Sequence, residues 1–162
     1  MVVPVPLLVL SAFLLEPYRV ETTQNTLNSM DASFCHGGLE VVYPELDVDK
    51  CLKVPTKLRE KITMTWQVPR VYFTGAQKGN ALRKGEIQGT TLTDYHQPTP
   101  PQNSGFHRYQ FMLFKQPPDT LVSLTDQEKS SRGKWDLQAF ITRFGLGEPV
   151  ASVQFLTQNF KD

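Results

Sequence analysis

Twelve prolines punctuate the 162-residue chain, from Pro4 to Pro149. A proline inside a helix removes a main-chain hydrogen bond and collides with the preceding turn. Long helices, and with them a helical bundle, are therefore excluded over most of the chain. At this length the chain suits one ordinary domain rather than two. Apolar residues make up 40% and charged residues 20%, so the composition is that of a globular chain, not a disordered one. The formal net charge of +1 argues against a dedicated nucleic-acid binder.

That charge is unevenly distributed. Residues 31–50 carry Asp31, Glu40, Glu45, Asp47 and Asp49 against Lys50, a balance of −4. Residues 51–90 carry Lys53, Lys57, Arg59, Lys61, Arg70, Lys78, Arg83 and Lys84 against Glu60 and Glu86, a balance of +6. Two solvated faces that offset each other account for this, and so does a basic rim that attracts anions.

The first fifteen residues, MVVPVPLLVLSAFLL, have no charged side chain. The run is short of the roughly 20 apolar residues that span a bilayer, but it suits the apolar core of a secretory signal. No basic residue precedes Arg19 and no small-x-small cleavage site follows the run, so a buried N-terminal segment is the competing reading. Residues 1–22 are taken as this leader, 23–33 as a polar linker, and 34–162 as the domain. The two cysteines, Cys35 and Cys51, bracket an acidic, strand-like stretch with a turn. They form a disulfide in an oxidising compartment or stay as two buried thiols in a reducing one. The three histidines lack zinc-site spacing, and no metal or cofactor is expected.

The pattern is mainly β. Leu39–Tyr43 reads as a strand ending at Pro44, Ile62–Trp66 as a second, and Val68–Phe73 as a third. Residues 96–105, HQPTPPQNSG, form a proline-rich loop. Phe106–Phe114, FHRYQFMLF, alternates with large side chains on both faces, which predicts a central strand covered on both sides. Leu121–Leu124 is at most a short strand. Trp135, Leu137, Phe140, Ile141 and Phe144 have helical spacing, stopped by Gly145 and Gly147. Val150–Leu156 alternates as a last strand.

The stretch PTPPQNSGFHRYQFMLFKQ, residues 98–116, resembles a conserved block of the phosphatidylethanolamine-binding protein family, which includes the Raf kinase inhibitor proteins. LEVVYPEL at 39–46, PRVYFTGA at 69–76, Gly85-Glu86-Ile87 with Tyr95, and LGEPVASVQFLTQN before Phe160 agree with it, so the resemblance runs from about Phe34 to Asp162. The GFHRYQF wording, the cysteine pair and the QFLTQN ending are most similar to a secretory-pathway branch. The resemblance implies a Greek-key antiparallel β-sandwich with one late helix. It also exposes a departure. The family's Asp-Pro-Asp-Ala-Pro-Ser-Arg loop is absent, and Gln77 runs straight into Lys78, so the chain reads as a shortened form with an internal deletion near 77/78. Loss of neighbouring strands would leave a bare face and an unpaired edge beside Phe106–Phe114.

By that resemblance the chain is a non-enzymatic module for a phospholipid head group or small anion, with an impaired pocket. The implied ligand-binding positions are Pro100, Pro101, Gly105, His107 and Tyr109. A strand histidine is ordinarily a core residue; the motif around His107 makes it a pocket position. Rigid prolines reduce the entropy lost on binding, Gly105 admits a close ligand, His107 donates to an oxyanion, and Tyr109 offers a hydroxyl on an apolar ring. Arg108 falls on the opposite face. The alternative is a modulator of kinase cascades or proteases acting through its surface. No Gly-x-Ser-x-Gly or His-Glu-x-x-His motif supports a hydrolase. A monomer without a transmembrane span is expected, secreted or lysosomal, with the cytoplasm as the alternative.

Overall fold

The computed structural model describes residues 26–75, 85–86, 89–131, 133 and 135–162. The apolar leader 1–22 and the 77/78 junction lie outside these. In chain order the elements are α1 (Ser29–Ser33), β1 (Leu39–Tyr43), β2 (Leu46–Val48), β3 (Leu52–Lys53), α2 (Thr56–Glu60), a π-helical turn (Lys61–Thr65), β4 (Arg70–Phe73), β5 (His107–Leu113), α3 (Asp126–Ser130), α4 (Leu137–Phe144) and β6 (Ala151–Thr157). Two small sheets result, β2-β1-β4 and β3-β6-β5. The sheets are not closed on each other: among the described residues no ladder joins β4 to β5. An open groove of about 730 Å³ lies there, walled by Val68, Val71, Phe111 and Leu113.

β1 and β2 form a hairpin with Tyr43 opposite Leu46 across Pro44–Glu45. Leu39, Val41 and Tyr43 are buried and alternate with half-buried neighbours, the period of two required by a strand with one core face. β4 pairs with the other edge of β1, Val71 opposite Val41.

Ile62–Trp66, expected as a strand, instead continues a helix. Its β-branched residues alternate, but Leu58, Ile62 and Trp66 recur every four residues and all three are buried. That spacing belongs to one helix face and overrides the local β-propensity. Pro55 sits at the start, where a missing N–H is tolerated. The final turn widens, the Trp66 N–H donating to the Lys61 carbonyl five residues back at 2.8 Å. Trp66 then stacks on Tyr43, ring centroids 5.5 Å apart.

β6, not Phe106–Phe114, is the central strand. All seven of its residues are buried. β5 stands at the end of its sheet. Only the Tyr109 face packs on the aromatic core; on the other, Arg108 and Gln110 are exposed and Met112 is half-buried, so large side chains there do not mark a covered face. On the core face Tyr109, Phe111 and Leu113 pack with Val153 and Phe155. On the other face the buried amide of Gln154 is satisfied: its Nε2 donates to the Asp31 carbonyl at 2.9 Å, and its Oε1 accepts from Gln110 at 3.0 Å.

Residues 29–33, expected as polar linker, form α1. Asn28 caps it, Oδ1 accepting from the Asp31 N–H at 2.7 Å. The Asp31 side chain is 5% exposed and receives the Arg108 guanidinium through both oxygens. This paired geometry matches a planar guanidinium to a carboxylate. The hydrogen bond from Arg108, assisted by its charge and by Gln154 and Asn28, outweighs burial and holds the Asp31 carboxyl below its ordinary value. The native state therefore binds that proton less readily than the unfolded chain. The resulting stability is fully present above the ordinary Asp value of about 3.9 and is lost as pH falls toward the depressed one. Urea midpoints followed from about pH 6 to pH 2 should fall through the acid limb, and Asp31→Asn should flatten part of that fall. An acid limb of equal steepness in both proteins would remove Asp31 from the account.

Among the described residues the single late helix expected from sequence is one of four short α-helices. α3 opens on a capping box in which the Thr125 N–H donates to Glu128 at 2.7 Å and the Glu128 N–H to Thr125 Oγ1 at 3.2 Å. Glu128 also receives Arg143 of α4 at 2.7 Å and 3.0 Å, which joins the two helices. α4 ends at Gly145, φ +60°, a left-handed cap. Leu121–Leu124 is irregular rather than a strand.

Candidate functional site

The proline-rich loop leads directly into β5. Pro98 and Pro100 are buried, Pro101 and Gly105 exposed, His107 and Tyr109 half-buried. The structure brings His107 and Tyr109 to one face of β5, opposite Thr157 and Phe155 of β6. Arg108 points the other way, to Asp31, as the strand alternation requires.

Tyr109 lies on the core side of the loop. Its ring stacks on Phe155 with centroids 5.4 Å apart. Burial raises the phenol above its ordinary value and outweighs the opposing influence of the Thr99 main chain, so the hydroxyl stays protonated at neutral pH. Beneath it the hydroxyls of Tyr43 and Tyr95 meet at 2.8 Å. Both are pushed up by burial. Tyr43, Trp66, Phe155 and Tyr109 form one aromatic floor spanning both sheets.

Ser104 is a site residue that the sequence reading missed. Its Oγ lies 2.6 Å from the Pro101 carbonyl and 2.6 Å from His107 Nε2. A hydroxyl has one proton and a carbonyl can only accept. Ser104 therefore donates to Pro101, and His107 donates its Nε2–H to Ser104. This assigns the Nε2–H tautomer and leaves Nδ1 as an acceptor on the neutral ring or a donor on the protonated one. The signal available in sequence was the three-residue spacing of Ser104 and His107 across a turn. Gly105 between them has φ +73°, with no atom within 4 Å of where a Cβ would stand. The glycine is needed for its backbone conformation rather than for lack of room.

The C-terminal segment braces the loop from the other side. Asn159 Nδ2 donates to the Pro100 carbonyl at 2.9 Å, and the Asn103 N–H donates to Asp162 Oδ1 at 2.9 Å. Beside the loop, Phe106 carries Lys53 and Arg59 against its ring, 5.0 Å and 5.2 Å from the centroid. Such contacts attract a cation to the ring face. Arg59 is otherwise buried, and burial lowers its proton affinity while the Asp162 charge opposes that shift.

Cys35 and Cys51 are bonded, with Cα atoms 5.6 Å apart. Among the described residues no group of three His, Cys, Asp or Glu side chains is placed to hold a metal ion, and no helix is long and apolar enough to cross a membrane.

The arrangement is thus a rigid, proline-built loop with a histidine and a tyrosine held on one strand face behind it. The 26 kDa secreted antigen of Toxocara canis is 36% identical to this chain over 73 residues, which cover 43% of the chain and 28% of that protein. The chain spans well under two thirds of that relative's length. The profile of the phosphatidylethanolamine-binding proteins matches residues 42–155, a span that contains the loop, His107, Tyr109 and all the strands except Leu39–Val41 of β1 and the last two residues of β6. The loop, the strand behind it and most of the sheets that support them thus fall within a single match, and the chain belongs to the phosphatidylethanolamine-binding protein family.

Proposed function

We propose that the chain is a non-enzymatic module that binds a phospholipid head group or small anion at the His107 face of the loop, with low affinity. The observation that carries this reading is the pairing of His107 with Ser104 behind a loop braced by Asn159 and Asp162. It holds the remaining ring nitrogen, Nδ1, on a preorganised support, where the protonated imidazole can donate to an oxyanion with little entropy lost on binding. The same contact argues against a Ser–His nucleophile. The Ser104 proton is directed to Pro101, so Nε2 is not set as its base, and among the described residues no carboxylate bonds Nδ1 to orient the ring.

Low affinity follows from the missing Asp-Pro-Asp-Ala-Pro block, which would have completed the pocket. The finer assignment is a shortened form nearest to phosphatidylethanolamine-binding protein 4, its two sheets the halves of an incomplete Greek-key sandwich. Secretion or lysosomal delivery is supported by the disulfide and by a relative described as a secreted antigen.

Titration with phosphorylethanolamine, monitored by NMR, should move the His107, Gly105 and Tyr109 resonances saturably. His107→Ala should weaken binding about ten- to a hundredfold, since a hydrogen bond to a charged group contributes roughly 1.5–3 kcal/mol. Binding that is indifferent to His107→Ala would refute the site. The second reading, surface contact with kinase-cascade proteins or proteases, is favoured by the open groove between β4 and β5. A partner captured equally by wild type and His107→Ala, in the absence of head-group binding, would select it.

A further inference from the structure

A second cavity, of about 330 Å³, lies between residues 92–96 and the α3–α4 pair. Leu92, Leu124, Trp135 and Phe140 wall it, and Asp94 and His96 stand at its edge. Thr93, Asp94 and His96 line the cavity, while Tyr95 turns inward to Tyr43. We propose that this cavity is a second binding site, for a small amphiphile carrying a primary ammonium group on a short apolar body. The proposal is independent of the reading of the His107 face.

The walls specify the apolar part. Trp135 and Leu92 are 38% and 44% exposed, large apolar side chains turned to solvent beside a ready-made concavity. The volume falls at the lower end of the roughly 300–1,000 Å³ usual for small-molecule sites. Trp135 and Phe140 rings meet at 4.7 Å between centroids. The Arg143 guanidinium already occupies a Phe140 face, 5.3 Å from its centroid, so Trp135 is the ring left to a ligand cation.

The polar groups specify the sign of charge. Glu128 reaches the cavity but is neutralised by Arg143 at 2.7 Å. Lys129, in an adjoining lobe that shares Leu92, Asp94 and Leu124, faces Asp126 at 3.7 Å. Among the described residues the Asp94 carboxylate has no hydrogen-bond or ion-pair partner. His96 Nδ1 lies 2.9 Å from the Gln97 carbonyl and must donate to it, which leaves Nε2 of the neutral ring as an acceptor. One carboxylate, one imidazole acceptor and one indole face suit the three N–H groups and positive charge of an ammonium, and disfavour an anion.

The test uses hexylamine, hexanol and hexanoate, read by tryptophan fluorescence. Trp66 is core-buried, so a ligand-dependent change should come from Trp135 and vanish in Trp135→Phe. Hexylamine should bind saturably, and hexanoate about tenfold or more weakly. Asp94→Asn should weaken hexylamine about tenfold, leave hexanol unchanged and leave the melting temperature unchanged, because Asp94 is exposed. His107→Ala should leave hexylamine binding intact, which separates this site from the loop. Equal affinity for hexylamine and hexanoate in the wild type overturns the proposal without recourse to any variant. So does a hexylamine response that persists undiminished in Asp94→Asn or in Trp135→Phe.

Discussion

Phe155→Ala should cost about 3–5 kcal/mol of stability, the range for truncating a buried aromatic side chain. Phe155 is fully buried at the centre of β6. Its ring stacks on Tyr109, meets Phe111 at 6.1 Å, and meets Tyr43 edge-on at 6.0 Å. Tyr43 belongs to one sheet, and Tyr109 and Phe111 to the other. The ring therefore holds the two sheets together where no strand ladder does. Total stabilities of small domains are only about 5–15 kcal/mol, so the loss is a large fraction of the whole. Phe155→Leu keeps much of the volume and should cost no more than about 1.5 kcal/mol. Urea midpoints of the two variants would measure both. A Phe155→Ala loss under about 1 kcal/mol would mean that the sheets are held elsewhere. Where the alanine variant remains folded, the Tyr109 ring should lose its support and the loop above it should exchange amide protons faster.

The parts of the fold legible in sequence are those where one local signal dominates. Leu39–Tyr43 alternates cleanly and ends at a proline, and it is a strand with the expected inward face. The spacing in 135–144, with Gly145 after it, gives α4 and its left-handed cap. Alternation in FHRYQFMLF separates Tyr109 from Arg108, and the structure places them on opposite faces. Where two periods compete, the reading fails. In 62–66 the alternation of β-branched residues masked the four-residue recurrence of Leu58, Ile62 and Trp66, which becomes visible only when the window reaches back to Leu58. α1 was missed because its packing depends on Asp31 meeting Arg108, 77 residues away in sequence. The central position of β6 was misassigned to β5 for a related reason. Large side chains on both faces do not by themselves report that both faces are covered: Arg108 and Gln110 are exposed. At the site, residue types marked His107 and Tyr109, but the proton arrangement through Ser104 and the bracing by Asn159 and Asp162 depend on loop geometry.

Loss of the Cys35–Cys51 bond should cost about 3 kcal/mol, from the chain entropy released when a loop of this length opens in the unfolded state. The cysteines are 16 residues apart and enclose the β1–β2 hairpin. Their placement gives the bond a second role. Cys35 precedes His36, whose main chain exchanges hydrogen bonds with Ser152 at 3.0 Å and 2.9 Å. Cys51 precedes Leu52, which pairs in parallel with Phe155. Both segments thus lie along the same edge of β6, and each is too short to hold that edge alone: one is an isolated bridge and the other a two-residue strand. The bond couples them, so that detaching one requires detaching the other. Double replacement, Cys35→Ala with Cys51→Ala, should lower the unfolding free energy read from urea titration by the stated amount. It should also deprotect the amides of Ser152 and Val54, the latter donating to the Leu156 carbonyl at 2.8 Å, before those of the β5–β6 ladder. Dithiothreitol should reproduce the shift in the wild type and leave the double variant unchanged. If reduction lowers the unfolding free energy by less than about 1 kcal/mol, the edge of β6 is secured by packing alone, and the disulfide contributes little to the stability of this domain.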